Sequence, residues 1–380
     1  MKILQACFSR CPVASELIDL ATLKPQLVLV FGSVALISDP QVLQALLSAF
    51  PDAELAGCST AGEIADEGVL DDHLVLTALH FKDPGFRGAT TDLRDMADSA
   101  GAGLRLAQQL NVPGLHNVIV FSQGVNVNGS ALLEGFSRGL PPGVKLSGGL
   151  AADGAAFKKT YTLSRHAVSS EQVVAIGFTS PNLEFRHASL HGWNPFGPAR
   201  EVTRCEGNVL YELDGAPALE VYKTYLGAYA KDLPGSGLLF PFEMLSSDHQ
   251  TMGLIRTILG IDEAIGSLTL AGDIAEGCYL RLMHATTDSL VDGAHEAAIA
   301  AAADGQSSAQ HLALLVSCVG RKLVMGARVD EEVEAVTAVL GGNVRVAGFY
   351  SYGEISPGPD DSGASDLHNQ TMTITHLTER

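Results

Sequence analysis

The sequence predicts an α/β protein with mixed sheets built from duplicated strand-helix-strand units, in two tightly associated domains. Three observations carry that expectation. The tetrapeptide ATTD occurs at residues 89–92 and again at 285–288, and internal self-similarity marks a repeated supersecondary unit. After each copy, Ala-rich segments of helical spacing alternate with apolar, strand-like runs. Two Gly-Glu-Ile turns, GCSTAGEI from Gly57 and GFYSYGEI from Gly348, close comparable strands. A chain of 380 residues exceeds the size at which single cores usually stop growing. We divide it near residue 200, into 1–200 and 201–380.

The first unit comprises the strand LVLVFGS from Leu27, the helix-like VLQALLSAF, the strand AELAGCSTAGE and the strand LVLTALHF, with its first helix missing. The second follows ATTD with the helical LRDMADSAGAGLRLAQQL, the strand NVIVFSQG, the helical ALLEGFSRGL, the strand VKLSGGLAADG and the apolar EQVVAIGF. The third repeats that order with SLVDGAHEAAIAAAADG, HLALLVSCVG, EEVEAVTAVL, VRVAGFYSYGE and NQTMTITHL. Helices between strands favour parallel pairing through right-handed crossovers, and the strand after each glycine turn returns antiparallel. Between the copies, the stretch from LEFRHASLHGW to LPGSGLLFPFEML holds the only tryptophan, Trp193, and reads as an ordered aromatic connection.

With 24 basic against 43 acidic residues the net charge is −19, which repels nucleic acid and anionic membranes. The longest apolar run, LVLVFGSVALI, falls short of the roughly 20 residues of a membrane span. The N-terminus lacks the apolar core of a secretory signal, so the cytoplasm is the expected location. Six scattered cysteines suit a reducing compartment, and Cys7 and Cys11 have no second pair to complete a zinc site. Cys11-Pro12 matches a short haem-regulatory dipeptide.

Ser59, in GCSTA, nearly matches the G-x-S-x-G elbow of hydrolases, but Ala61 replaces the last glycine and a loop, not a helix, follows. No phosphate-binding loop is present. An enzyme is therefore not expected. Glu63 and Glu354 are either paired acid-base groups or acceptors for the amides of their own turns; the absence of a nucleophile favours the second role. His187 and His191 are four apart in RHASLHGW, a spacing that shares one face of a helix or strand; His191 lies beside Trp193, and His368 follows the second Gly-Glu turn. Each could be a metal or haem ligand or a satisfied core histidine. Arg321, with Lys322, could clamp a carboxylate or pair with an acidic side chain. Ser59, Thr60, Glu63, Tyr352, Glu354 and Asn369 are candidates to line a pocket.

The segments LVLVFGS, AELAGCSTAGEI, LSGGLAADG, LHGWNPFGPAREVT, LYELDGAPALEVYKTYLG, SCVGRKLVMG, GFYSYGEISPG and LHNQTMTIT resemble a FIST-domain protein with FIST N and FIST C modules. The resemblance implies a sensory module of signal transduction, and similar stand-alone chains include the NosP group, which bind haem, sense nitric oxide and regulate a histidine kinase. It implies haem b as cofactor without nominating the iron ligand; the motif histidines His191 and His368 are carried over as candidates, and Trp193 and Arg321, the latter able to clamp a propionate, are the further cofactor-binding candidates. It further implies a separate histidine kinase as partner, with a homo-oligomer left open. The alternative is a sensory binding protein for an amino acid or similar metabolite, with Arg321 gripping its carboxylate.

Overall fold

The first unit opens with Lys2–Phe8 (β1) and continues through Leu27–Gly32 (β2), Glu54–Ser59 (β3), the hairpin Glu63–Ala65 and Gly68–Leu70 (β4, β5), and Leu74–His80 (β6). Every residue of β2 is buried, as a continuous apolar run must be when both faces of its sheet are covered. It pairs in parallel with β3 and antiparallel with β6, which pairs with β1. The crossover is the helix Pro40–Ala49 (α1), which starts on a proline and is capped by Asp39 accepting from the Gln41 amide. This computed structural model describes residues 1–302, 310–358 and 365–380.

The second unit repeats the plan. Its strands are Phe86–Asp92 (β7), Asn117–Ser122 (β8), Lys145–Leu150 (β9), the hairpin Thr162–Ser164 and Val168–Ser169 (β10, β11), and Gln172–Phe178 (β12), with helices Ser99–Leu110 (α2) and Gly129–Gly139 (α3). The third begins at Leu183–Leu190 (β13) and resumes, after an insertion, with helix Thr287–Ala301 (α4), His311–Cys318 (β14), helices Val319–Met325 and Asp330–Leu340 (α5, α6) and Val344–Ser351 (β15). The hairpin Gly353–Pro357 and Ser365–His368 (β16, β17) and the strand Met372–Glu379 (β18) complete it. In each unit the two inner strands are parallel and the return strand antiparallel, as expected. Residues 303–305, the tail of the Ala-rich segment, lie outside the described residues.

Two details of the expected repeat are corrected. The first unit does have its first helical stretch, split into Ala14–Leu17 and Ile18–Thr22 and too short to show a helical period. The two ATTD segments are not counterparts: the first ends β7, whereas the second places Thr286 as the N-cap of α4. In register, Thr91 sits opposite Val173 as Leu190 sits opposite Met372, so β13 is the counterpart of β7. An insertion separates β13 from the helix that follows β7 directly in the second unit.

Each unit lends its hairpin to another. The β4–β5 hairpin of the first extends the third sheet through β15, β10–β11 of the second extends the first through β3, and β16–β17 of the third extends the second through β9. The result is three six-stranded sheets in a closed ring of exchanges. Their inner faces share one core, where Phe31, Phe121 and Phe349, one from each unit, meet with ring centroids 4.8 to 6.1 Å apart. Each buried ring contributes about 1.5–3 kcal/mol. Helices α2 and α3 cover the outer face of the second sheet, and α4 and α6 that of the third.

The inserted segment, strands from Asn194–Pro195 to Tyr279–His284, forms a nine-stranded sheet with the helix Ala218–Leu226 over its own core, including Val202, Leu210, Tyr222 and Phe242. Residue 200 opens the strand Arg200–Glu206 inside it.

Candidate functional site

The two Gly-Glu turns are built alike. Thr60 donates its hydroxyl to the Glu63 carboxyl, and Ser351 does the same for Glu354 at 2.6 Å. The amide of His73 donates to Glu63 at 3.0 Å, and the amide of Thr371 to Glu354 at 3.1 Å. Asp72 and Gln370, just before those amides, both take positive φ, 58° and 64°. The carboxyls thus fix the loops between the strands of one unit. Burial raises both to about 7, against the hydrogen bonds that favour the charged form. Ser59 is fixed structurally as well: its hydroxyl donates to the Ala152 carbonyl at 2.7 Å and accepts from the Tyr161 amide at 2.9 Å, bridging two units.

The turns differ in what lies over them. At the first, an open cavity of about 400 Å³ is lined by Thr60, Gly62, Glu63, Asp71, Asp72 and Asp153, among others. Lys322, from α5 of the third unit, donates to the Ala61 carbonyl at 2.8 Å and to the Asp71 carboxylate. Asp153 is held by the amides of Phe157, Lys158 and Lys159 and takes the hydroxyl of Tyr352, whose ring stacks on Phe157 at 4.1 Å. Tyr352 itself lines only a 40 Å³ crevice against the inserted sheet.

The second turn is sealed beneath the inserted sheet. Gln370 donates to the Leu238 carbonyl at 2.9 Å, the Trp193 indole donates to the Gln370 carbonyl at 3.0 Å, and Arg256 donates to the Leu367 carbonyl at 3.1 Å. Between these anchors His368 Nε2 and both amide atoms of Asn369 are buried without a partner. The structure therefore gathers Trp193, His368, Asn369 and Glu354 at one seam, and leaves Thr60 and Glu63 at another.

The expected ligand residues behave differently from one another. His187 lies in β13, bonded to Asn117 Oδ1 at 2.9 Å and buried, which lowers it to about 3; His191 lies beyond that strand's end, so the shared face is not formed. His191 Nδ1 accepts from the Trp193 amide at 2.9 Å, which puts the proton of the neutral ring on Nε2 and removes the lone pair a metal needs. His368 keeps a free Nε2 while the Ser356 backbone holds its ring; burial first, then Arg256, lowers it to about 4. Arg321 is wholly buried and spent on Glu332, at 3.0 and 2.7 Å, and on the carbonyls of Leu290 and His191. It has no face left for a propionate or a substrate carboxylate.

A haem needs an axial nitrogen and a slot for its ring. His368 offers the nitrogen, but none of four cavities among the described residues is lined by His368, His191 or Trp193. The residues present do not fit a haem in this conformation. Among the described residues no three His, Cys, Asp or Glu side chains gather as a metal site requires, and no helix is long and apolar enough to cross a membrane. Sequence reasoning missed Asp71, Asp72, Asp153 and Arg256; only the lone arginine in the apolar GLIRTIL carried a readable signal.

Residues 26–216 match the FIST N domain and residues 218–357 the FIST C domain. The chain belongs to the FIST family, whose domains are associated with sensing of small ligands in signal transduction. An uncharacterised protein of Methanocaldococcus jannaschii is 27% identical over 203 residues, 50% of this chain and 38% of its own length. The chain thus spans less than half of that relative. An uncharacterised protein of Mycobacterium tuberculosis is 24% identical over 339 residues, 88% of this chain and 86% of its own. A crystal structure of cyanuric acid hydrolase from A. caulinodans aligns over 100% of this chain and 99% of its own at 11% identity, with a TM-score of 0.36.

Proposed function

We propose that this FIST-domain chain is a sensory module that binds a small organic cation, such as an amine-bearing metabolite, at the first Gly-Glu turn. The observation that supports it is the 400 Å³ cavity lined by the carboxyls of Glu63, Asp71, Asp72 and Asp153, where Asp71 already takes the Lys322 ammonium. That ammonium shows what the rim accepts: one carbonyl and one carboxylate. A ligand amine that competes for Asp71 would release Lys322, and with it a bond between the first and third units. A separate protein, a histidine kinase in keeping with the resemblance, would read the changed seam.

Thermal-shift screening of primary amines and amino acids against their N-acetylated forms tests this. The amine should raise the melting temperature, the N-acetylated form should not, and Asp71→Asn with Asp72→Asn should abolish the shift. Equal shifts from both forms would sink the reading.

Haem-based nitric oxide sensing is a second reading, supported by the free Nε2 of His368. It requires the seam under the inserted sheet to open. Haem reconstitution giving a stoichiometric Soret band that His368→Ala loses and His191→Ala keeps would support it; no Soret band would end it.

A further inference from the structure

A second cavity, of about 470 Å³, lies between α3 and β17. Its wall is apolar where Leu133, Val144, Leu146 and Leu367 contribute; Glu134, Ser137, Ser365 and Asp366 also line it, and the Ser130 hydroxyl, buried without a partner, and Arg256 are its more buried polar groups. Arg256 is 5% exposed. Its Nε donates to the Asp273 carbonyl at 3.1 Å and one terminal nitrogen to the carbonyls of Ile255 and Leu367, at 3.2 and 3.1 Å. Three neutral acceptors hold it, and no carboxylate among the described residues pairs with it.

Arg321 shows what a buried guanidinium in this chain otherwise has, a carboxylate in direct contact. Arg256 has no carboxylate in direct contact among the described residues, Asp366 and Asp273 acting on it only from a distance, and it lines a cavity large enough for a small ligand. We propose that this cavity binds a monocarboxylate with an apolar tail, its carboxylate on Arg256 and its tail against Leu133, Val144 and Leu146. The site is separate from the amine cavity and stands without it.

Two acids at the cavity set the ligand's charge. Glu134 is exposed and holds Arg138, and Asp366 has a partner of its own. Their negative field admits one carboxylate beside Arg256 and disfavours a dianion or a phosphate. Burial is the main influence on Arg256, lowering it to about 10, and Asp366 and Asp273 oppose it. The guanidinium therefore stays charged at neutral pH. Because Arg256 also holds the Leu367 carbonyl, occupancy bears on the strand that carries His368.

Isothermal titration of the full chain with octanoate, octan-1-ol and acetate tests the proposal. Octanoate should bind at least tenfold more tightly than either control. Arg256→Gln should weaken octanoate at least tenfold while leaving octanol unchanged. Ser137→Trp, on the exposed rim of the cavity, should block octanoate with the fold intact, and decides the matter if Arg256→Gln does not fold. Equal binding of octanoate and octanol, octanoate binding that survives Ser137→Trp, or no binding by octanoate would each overturn the assignment.

Discussion

Arg321 and Glu332 face each other through two hydrogen bonds, 3.0 and 2.7 Å, with neither side chain reaching solvent. Glu332 also accepts from Ser317 at 2.9 Å and from the Tyr350 hydroxyl at 2.6 Å, so its carboxylate organises the interior of the third unit. Removing one partner leaves the other charge buried and alone. Glu332→Ala should cost about 3–5 kcal/mol in urea denaturation. The double variant Arg321→Leu with Glu332→Leu should cost less than that single change.

Stability should fall as pH rises from about 4.5 to 7. Glu63 and Glu354 are each raised to about 7 from an ordinary 4.5. Between those values the folded chain keeps protons that the unfolded chain has lost, which favours the fold at the acidic end. Glu354→Gln, an analogue of the protonated acid, should flatten this slope and gain up to about 3 kcal/mol at pH 8. His368 acts in the opposite sense, its depressed value costing stability as pH falls from 6.5 towards 4. Comparing the variant with the parent across pH isolates the carboxyl; an unchanged slope would refute its role.

Gly57, Gly148 and Gly348 occupy the same place in the three units. A Cβ built on each would lie 1.7, 2.1 or 1.8 Å from the carbonyl oxygen of Val30, Val120 or Leu315 on the parallel neighbour. Backbone cannot yield there as a side chain could. Alanine at any one of them should destabilise by about 3 kcal/mol or more, and denaturation of the three single variants should give comparable losses.

Asn369 buries a donor and an acceptor without partners. Asn369→Leu keeps the shape and removes two unmet polar atoms, so it should raise thermal stability by the equivalent of about 1–3 kcal/mol. A marked loss would show that the amide is satisfied in solution.

The inner strands and the glycine turns were legible because local pattern dictates them: buried parallel strands read as apolar runs, and Gly57 and Gly348 recur at matching points. The hairpin exchange was not. Glu63–Ala65 has three residues, and nothing in them says whether they pair within their own unit or with Gly348 and Phe349. The ATTD match misled because the insertion moved a strand away from its helix. At the sites, Glu63 and Glu354 kept the loop-fixing role their position suggested. Arg321 could not be resolved from sequence, since its partner Glu332 lies on the next helix, eleven residues on. His191 was decided by one backbone amide, that of Trp193, which no residue pattern reveals.

The ring of lent hairpins also sets an order of synthesis. The Gly148–Leu150 edge of β9 is covered by Gly353–Ile355, some 200 residues later. On the ribosome the second sheet must wait with that edge bare until residues 353–355 have emerged, and bare edges recruit other strands. Messages truncated before residue 353 should therefore give aggregating products, and the nascent chain should depend on chaperones until that hairpin is made.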